Sequence, residues 1–303
     1  MNRLKLSFGD FFDQAAPLES ALDLASTHFN HSTTLNTSLT SLLIWQNEFV
    51  YTWAVKENIH FILAQYGSYV YLPVPPQPLS VEALNLAFDY MKLVNGRGTG
   101  VSRIEGFTDP VNQIAPPYLS RPTMTEYIYD RKQVAGLHGD PFRSQRALVN
   151  HFLKTEQVLF RPYRFSDLKA CSELFEKWKT QRLPIHQGQM GEKMILSSQK
   201  AHYQALIHND TWNISVWVVL VGNRLSAYTA GTPLNPDTYG VLLEVSDLEI
   251  KGLSSYVFST LCRQLKGYTY VNTGDAEGLP RLAKSKEHWH PLRKISVYAA
   301  DSI

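Results

Sequence analysis

The chain contains 303 residues, of which 44% are hydrophobic and 18% are charged. This balance is typical of a globular protein with a large core and excludes extensive disorder. The 29 basic and 27 acidic side chains leave a formal net charge of +2, which excludes a general polyanion-binding surface but permits a local basic patch. The length is sufficient for two domains of ordinary size.

The cysteines and the apolar runs bear on the cellular compartment. Cys171 and Cys262 are far apart and have no ligand-like spacing, so we expect neither a disulfide framework nor a cysteine zinc site. The N-terminal residues lack the continuous apolar core of a secretory signal. The most apolar runs, such as Val216–Val221, are much shorter than a membrane span. The sequence therefore predicts a soluble, cytoplasmic protein without a transmembrane segment.

The first half begins with a mixed segment, residues 1–41, in which no clear element is predicted. Three short strands with hairpin separations follow it, and prolines after residue 72 end the third. A helix capped by Ser80 and a further strand complete this half. The predicted elements are the strands Phe49–Val55, Ile59–Gln65 and Tyr69–Leu72, the helix from Ser80 to about Leu93, and the strand Val101–Phe107.

The second half repeats this organisation after an opening strand and two helices. Its hairpin surrounds Val221-Gly222-Asn223, a strong turn signal. The later elements are the strands Asn213–Leu220, Arg224–Ala230 and Tyr239–Val245, a helix from Gly252 to about Lys266, a strand Tyr268–Val271, a short helix Leu279–Lys286 and a strand Lys294–Tyr298. The repetition predicts a mixed α/β architecture with two related modules, 1–152 and 153–303. A ligand site at their seam is expected, since clefts between modules commonly bind ligands.

The segment Glu126–Phe152 divides the two halves. An alternating run, Tyr127–Tyr129, predicts a strand, and a turn at Gly139–Pro141 precedes an amphipathic helix. The apolar side of this helix carries Leu148, Val149 and Phe152, and the polar side carries Arg143, Arg146, Asn150 and Lys154. The simplest interpretation of the polar side is a solvated basic face.

Two stretches carry weaker signals. The glycine-rich Asn95–Gly100 follows a predicted helix and precedes a strand, which is the reverse of the order in a phosphate-binding loop, so a turn is favoured. His288 and His290 lack a third ligand at a recognisable spacing, so surface imidazoles are favoured over a metal site.

The strongest signals lie toward the C-terminus. Gly252 lies between a strand and a helix, where exposed amides can bind an anion such as the pyrophosphate of coenzyme A. Asn272 and Asp275 follow a strand end, and Lys286 ends the next short helix. Together these three side chains could orient an amine and stabilise an oxyanion. The simpler alternative is an Asx turn with a lysine salt bridge.

Two separated motifs carry a family resemblance. Tyr127–Asp130, Leu137–Gly139, Phe142 and Arg146–Phe152 form the first, and Asn272, Gly278, Leu282, Lys286 and Pro291 form the second. In this order they resemble the phosphatidylglycerol lysyltransferase C-terminal domain family, over roughly residues 25–300. The chain has Gln145 where the family usually has a basic residue, and Ala276 where it usually has an acid.

The resemblance implies a fold of tandem GNAT-like (acyl-CoA N-acyltransferase-like) modules. It also implies an aminoacyl or acyl transferase that moves an aminoacyl group from aminoacyl-tRNA to an unknown acceptor. Arg146 and Lys286 are then predicted to contact phosphate or carboxylate, Asn272 and Asp275 to orient the acceptor, and Tyr129 to line the pocket.

Two alternatives remain open. One is an acyl-CoA-dependent N-acyltransferase that uses the turn at Gly252, and the other is a non-catalytic binding module that kept the fold. No metal and no resident cofactor are expected, because transfer from an activated ester mainly needs positioning and an oxyanion partner. Aminoacyl-tRNA or acyl-CoA would be a co-substrate.

Overall fold

The structure is a computed structural model that describes residues 11–29, 34–96, 101–111, 118–186 and 190–301. The chain divides into two compact units. Unit 1 comprises Met1–Thr125 and Ile295–Ile303, and unit 2 comprises Glu126–Lys294. This division differs from the predicted modules 1–152 and 153–303. The modules stay a prediction, because a repeated module and a compact unit need not share a boundary.

The described residues form helices and strands that are mixed along the chain. The helices are α1 (Leu22–Phe29), α2 (Leu39–Ile44), α3 (Val81–Asn95), α4 (Arg131–Gly136), α5 (Arg143–Thr155), α6 (Leu168–His186), α7 (Met190–Ile207), α8 (Leu253–Gln264) and α9 (Pro280–Glu287). The strands are β1 (Gln14–Pro17), β2 (Val50–Lys56), β3 (Ile59–Tyr66), β4 (Tyr69–Tyr71), β5 (Arg103–Phe107), β6 (Leu119–Asp130), β7 (Val158–Pro162), β8 (Ser215–Val221), β9 (Arg224–Asn235), β10 (Thr238–Ser246), β11 (Tyr270–Asn272) and β12 (Arg293–Asp301). The predicted mixed α/β architecture is thereby confirmed.

Unit 1 contains an antiparallel sheet in the order β1-β2-β3-β4. Strand β5 joins the end of β4, since Leu72 donates its amide to the carbonyl of Arg103 at 3.0 Å and accepts from the amide of Glu105 at 2.8 Å. Strand β5 also pairs antiparallel with β12, and β6 is the next strand after β12 in the order of the sheet. Strands β6 and β12 contribute residues to both units.

Unit 2 contains the strand order β6-β11-β10-β9-β8-β7. Strand β11 runs parallel to β10 and antiparallel to β6, so the residues that follow β11 leave the sheet beside the start of β6 in this unit. Helix α8 supplies much of the core through Leu253, Val257 and Leu261, each nearly inaccessible to solvent. Burial of such side chains is the main source of folding free energy.

Most predicted elements of regular periodicity are confirmed. The Ser80 hydroxyl accepts from the amide of Ala83 at 3.0 Å, which caps α3 as predicted. The hairpin β8–β9 turns at Gly222, whose φ of 57° suits a glycine. Cys171 and Cys262 are buried free thiols, in agreement with the predicted absence of a disulfide.

Two predictions of local structure are wrong. Strand β1 and helix α1 lie within residues 1–41, where no clear element is predicted, and α2 begins there; the Ser38 hydroxyl caps α2 by accepting from the amide of Ser41. Helix α4, which Asp130 caps, lies between the predicted strand and the predicted turn, where no element is predicted. The predicted strand Tyr127–Tyr129 is confirmed as the end of the longer β6. The missed elements are short and have little hydrophobic periodicity.

The glycine-rich stretch is described only at its start. Residues 97–100 lie outside the described residues. Asn95 is buried and bonds both backbone groups of Val70, accepting from its amide at 2.8 Å and donating to its carbonyl at 2.7 Å. A side chain used in this way anchors the helix end to β4.

Helix α5 covers the start of α8. Gly252 precedes α8 with a φ of 87°, and a Cβ atom added there would lie 2.4 Å from the carbonyl oxygen of Leu148. The rings of Phe152 and Tyr256 lie 5.0 Å apart and continue the contact. The polar side of α5 is largely exposed, as predicted, and its apolar side contributes Val149 and Phe152 to the core.

The contact at Gly252 predicts a specific cost of substitution. Gly252→Ala adds the strain of a left-handed alanine, about 1–2 kcal/mol, and a clash with Leu148 that costs about 1–3 kcal/mol more. Gly222→Ala is the matched control, because Gly222 also has positive φ but has no atom within 4 Å of an added Cβ. Urea denaturation should show the larger loss of unfolding free energy for Gly252→Ala, and equal losses would contradict the close contact.

Candidate functional site

The turn after β11 is built by the side chain of Asn272. Its Oδ1 accepts from the amide of Gly274 at 2.8 Å, and its Nδ2 donates to Oε2 of Glu126 at 2.6 Å. Asn272 and Glu126 are both inaccessible to solvent. The Asx turn predicted as the simpler alternative is therefore present, and a buried carboxylate from β6 holds it in place.

Lys286 on α9 is bound to this turn. Its Nζ donates to the carbonyl and to the hydroxyl of Thr273, the latter at 3.1 Å, and lies 3.4 Å from the carbonyl of Gly274. The hydroxyl of Tyr129 donates to the backbone carbonyl of Lys286 at 2.9 Å. Both ends of the lysine are thus fixed, and the contact with Gly274 is the weakest of them because of its length.

Four carboxylates act electrostatically on the Lys286 ammonium. Burial lowers the pKa of Lys286 to about 8, although the charges of Asp275, Glu277, Glu126 and Glu244 act in the opposite direction. Burial also raises the pKa of Glu244 to about 7, against the effect of Lys286. Perturbed groups of this kind are typical of functional sites. Both pKa values therefore lie closer to neutral pH than is usual for these side chains.

Asp275 belongs to the same turn. Its Oδ2 accepts from the amide of Glu277 at 2.9 Å, and the φ of Glu277 is 52°. The predicted residues Asn272, Asp275, Lys286 and Tyr129 are therefore brought together. We refer to these four residues with Glu126 and Glu244 as the Lys286 cluster, and all six belong to unit 2.

Arg146 and Gly252, the other two predicted site residues, belong to a different set of contacts in unit 2. The Arg146 guanidinium donates to the carbonyl of Leu137 and, at 3.0 Å, to that of Gly139. It thereby holds the loop between α4 and α5, where Leu137 has a left-handed φ of 52°. Gly252 is covered by Leu148, as described above. The contacts of both residues are structural.

Helix α5 is also attached to the end of α9. Gln145 is buried and donates to the carbonyl of His288, and the Ser144 hydroxyl lies 3.0 Å from Nε2 of His288. Nε2 of His290 lies 2.8 Å from the carbonyl of Pro141. These bonds explain why a neutral amide at position 145 suits this chain.

The histidines near the C-terminus bear on metal binding, and the character of the helices bears on membrane crossing. His288 and His290 are exposed, and their ring centroids lie 6.4 Å apart. Among the described residues, no group of three or more potential metal ligands converges. Within those same ranges, no helix combines the length and the apolar character needed to cross a bilayer.

Sequence reasoning missed Glu126 and Glu244. Each is a carboxylate next to apolar neighbours in a strand, Glu126 before Tyr127 and Glu244 between Leu243 and Val245. A charge in such a run is the signal that could have identified them, since charged side chains are rarely buried without a partner.

Solved structures share this fold. A conserved protein of unknown function from Bacteroides thetaiotaomicron VPI-5482 has a TM-score of 0.81 at 20% identity, over 93% of this chain and 96% of that chain. L-PGS from Bacillus licheniformis has a TM-score of 0.63 at 15% identity, over 93% and 90%. FemX has a TM-score of 0.59 at 10% identity, over 99% and 97%. These similarities concern the fold, and the predicted GNAT-like class is confirmed.

Sequence comparison assigns the family. Curated proteins gave no significant match. The sequence model of the family described as phosphatidylglycerol lysyltransferase, C-terminal, matches residues 31–301 and includes both predicted motifs. The resemblance stated from those motifs is confirmed, and the chain belongs to the phosphatidylglycerol lysyltransferase C-terminal family.

Proposed function

We propose that this protein transfers an aminoacyl group from aminoacyl-tRNA to an acceptor hydroxyl or amine, with the Lys286 cluster as its site. Family membership supports a transferase. The observation that carries the proposal is the position of the Lys286 ammonium, which Thr273 and Gly274 hold at the turn that also contains Asp275. Burial lowers the pKa of this ammonium to about 8. Such a group can donate to an oxyanion and can also release a proton near neutral pH.

The proposed chemistry needs two groups. The acceptor attacks the ester carbonyl and forms a tetrahedral oxyanion, which the Lys286 ammonium stabilises. To do so, Lys286 exchanges its long contact with the Gly274 carbonyl for the oxyanion. Glu244 takes the proton of the acceptor, and the terminal tRNA hydroxyl leaves with a proton from Lys286. Proton transfer from Glu244 to Lys286 then restores the starting state.

The charge of the cluster favours an amine over a phosphate. The charges of Asp275, Glu277, Glu126 and Glu244 all act on Lys286, so this ammonium has more acidic than basic neighbours, and such charges repel an anion. A phosphate at Lys286 would meet this repulsion, whereas the ammonium of an aminoacyl group would be attracted. We therefore assign Lys286 to the reacting carbonyl and Asp275 to the amine of the aminoacyl group.

The remaining predicted residues have supporting roles in this proposal. Both ends of the Asn272 amide are occupied, so Asn272 shapes the turn and does not orient the acceptor directly. Tyr129 lies beneath the site and fixes the end of α9. Arg146 stays a candidate for binding a phosphate of the aminoacyl-tRNA. The carbonyls of Leu137 and Gly139 engage only its Nη1, so Nε and Nη2 can still donate.

Binding measurements separate this proposal from its alternatives. The intact protein would be titrated with aminoacyl-tRNA, deacylated tRNA and acetyl-CoA, and ester loss from the aminoacyl-tRNA would be followed. We expect binding of the aminoacyl form and faster ester loss than in buffer. A melting temperature raised by acetyl-CoA without tRNA binding would favour acyl-CoA chemistry, although Leu148 covers the Gly252 turn. Ligand binding without any transfer would favour a non-catalytic module.

Replacement of Lys286 tests its role. Lys286→Met keeps the aliphatic stem but removes the ammonium, so we expect ester transfer to fall roughly 100- to 1,000-fold, as for loss of one oxyanion donor. Lys284→Met on the same helix is the matched control, because Lys284 is exposed, and its rate should be unchanged. Single-turnover rates and melting temperatures would be measured for both. A folded Lys286→Met protein with full activity would rule out the assignment.

The pH profile tests the acid and base together. Glu244 acts as a base only above a pH of about 7, and Lys286 stays charged only below about 8. We therefore expect kcat/KM to pass through a maximum between these values. Glu244→Gln should remove the acidic limb and move the alkaline limb to lower pH, since Glu244 raises the pKa of Lys286. Glu249→Gln, at an exposed carboxylate, should leave the profile unchanged.

Glu126 is proposed as a positioning residue. Glu126→Gln retains an oxygen that can accept from Asn272, whereas Glu126→Ala leaves a buried amide without that acceptor, which costs about 1–3 kcal/mol. We expect Glu126→Ala to lose more unfolding free energy than Glu126→Gln. Glu126→Gln should still shift the alkaline limb of the rate profile downward, because the carboxylate charge is lost. An unchanged profile with intact folding would limit Glu126 to a purely structural role.

A further inference from the structure

Unit 1 contains a cavity of about 100 Å³ that the proposed transfer does not use. Its lining includes polar side chains, Tyr51, Tyr71, Glu105, Asn36 and Thr37, and apolar ones, Leu42, Met124 and Val297. All of these residues belong to unit 1. The cavity therefore joins a polar wall to an apolar wall, a combination typical of small-molecule sites.

The fold builds the polar wall from three adjacent strands. Tyr51 on β2 and Tyr71 on β4 both pair with Ala64 on β3, so a small side chain separates two large ones on one face of the sheet. The bonds of Leu72 to β5 then place Glu105 beside Tyr71. A gap between two tyrosines with a carboxylate at its edge follows from this register.

Neighbouring contacts hold the wall rigid. Nε of Arg103 lies 2.5 Å from Oε1 of Glu105, and the Arg103 guanidinium lies over the Tyr71 ring, 4.2 Å from its centroid. Gly106 has a φ of 88°, and an added Cβ would lie 2.6 Å from the Thr37 side chain. The loop that carries Thr37 thus lies directly against β5. A rigid polar wall lowers the entropic cost of binding a ligand.

Charge decides which ligand suits the cavity. Glu105 is the one ionised side chain among the described residues that line it. Burial raises the pKa of Tyr51 and that of Tyr71, so both hydroxyls stay neutral and can accept a hydrogen bond. Arg103 already engages Oε1 of Glu105, so the preference comes from Oε2, which can accept a hydrogen bond from an ammonium but cannot donate one to an anion.

We propose that this cavity binds a small primary alkylamine, with its ammonium against Glu105 and the two tyrosine hydroxyls and its alkyl group against Leu42, Met124 and Val297. The ammonium carries three donors, which match one carboxylate oxygen and two phenol oxygens. A cavity of roughly 150 Å³ can hold benzene. This smaller and partly open cavity accordingly suits an amine of about five heavy atoms.

Matched ligands test the proposal with the intact chain. Isobutylamine, isobutanol and isobutyrate have similar shapes but carry a positive, a zero and a negative charge. We expect isobutylamine to bind, isobutanol to bind roughly tenfold more weakly because charge-assisted hydrogen bonds are stronger, and isobutyrate not to bind. Calorimetry at neutral pH would give the affinities. Equal affinity for the amine and the alcohol would overturn the proposal.

Variants locate the binding. Glu105→Gln should weaken isobutylamine binding roughly tenfold, whereas Glu82→Gln, at an exposed carboxylate of α3, should leave it unchanged. Because Glu105→Gln also alters the pair with Arg103, a second measurement uses the wild-type chain. The methyl signal of Met124 should shift on addition of isobutylamine but not of isobutyrate. Unchanged binding in Glu105→Gln, or shifts confined to methionines elsewhere, would overturn the assignment.

Discussion

The Lys286 ammonium on the turn after β11 is the interaction on which the candidate site depends. It fastens α9 to the turn through Thr273 and Gly274, while Tyr129 fixes the same residue from its backbone side. Asn272 and the buried carboxylate of Glu126 determine the shape of this turn. Positioning and electrostatics are consequently inseparable here, since the group proposed for catalysis also holds the loop that presents it.

Helix α5 connects the two sequence motifs of the family. Its backbone at Leu148 lies against Gly252 at the start of α8, and Gln145 bonds the residue that follows α9. The sequence predicts that the basic side of this helix is a solvated face without a specific role. Arg146 instead bonds two carbonyls of the preceding loop and fixes the entry into the helix. A motif can thus be shared by a family because it supports a site, without touching a substrate.

Local sequence signals predict much of the fold and part of the candidate site. Contacts between residues far apart in sequence could not be predicted in this way. The strands, the capped helix at Ser80 and the grouping of Asn272, Asp275 and Lys286 follow from periodicity, caps and a short spacing in sequence. Glu126 meets Asn272 across 146 residues, and no local pattern reports such a contact. Gly252 had the correct backbone conformation for an anion site, but the neighbour that covers it comes from another helix. Sequence reasoning thus found the turn and missed both its buried carboxylate and the obstruction at α8.

In the Lys286 cluster, burial of the charged forms of Glu244 and Lys286 costs folding free energy. The pKa of Glu244 is raised from its ordinary value of 4.5 to about 7. Ionisation of this carboxyl therefore costs folding free energy, and the protein loses stability as pH rises from 4.5 to about 7. The pKa of Lys286 is lowered from 10.5 to about 8. Its charged form therefore destabilises the folded state below a pH of about 8, and this penalty is lost as pH rises from about 8 to 10.5. Between pH of about 7 and 8 both penalties apply together. Mutual attraction of the two charges offsets part of them. A core position filled for stability alone would avoid both costs, and perturbed pKa values of this kind are typical of functional sites.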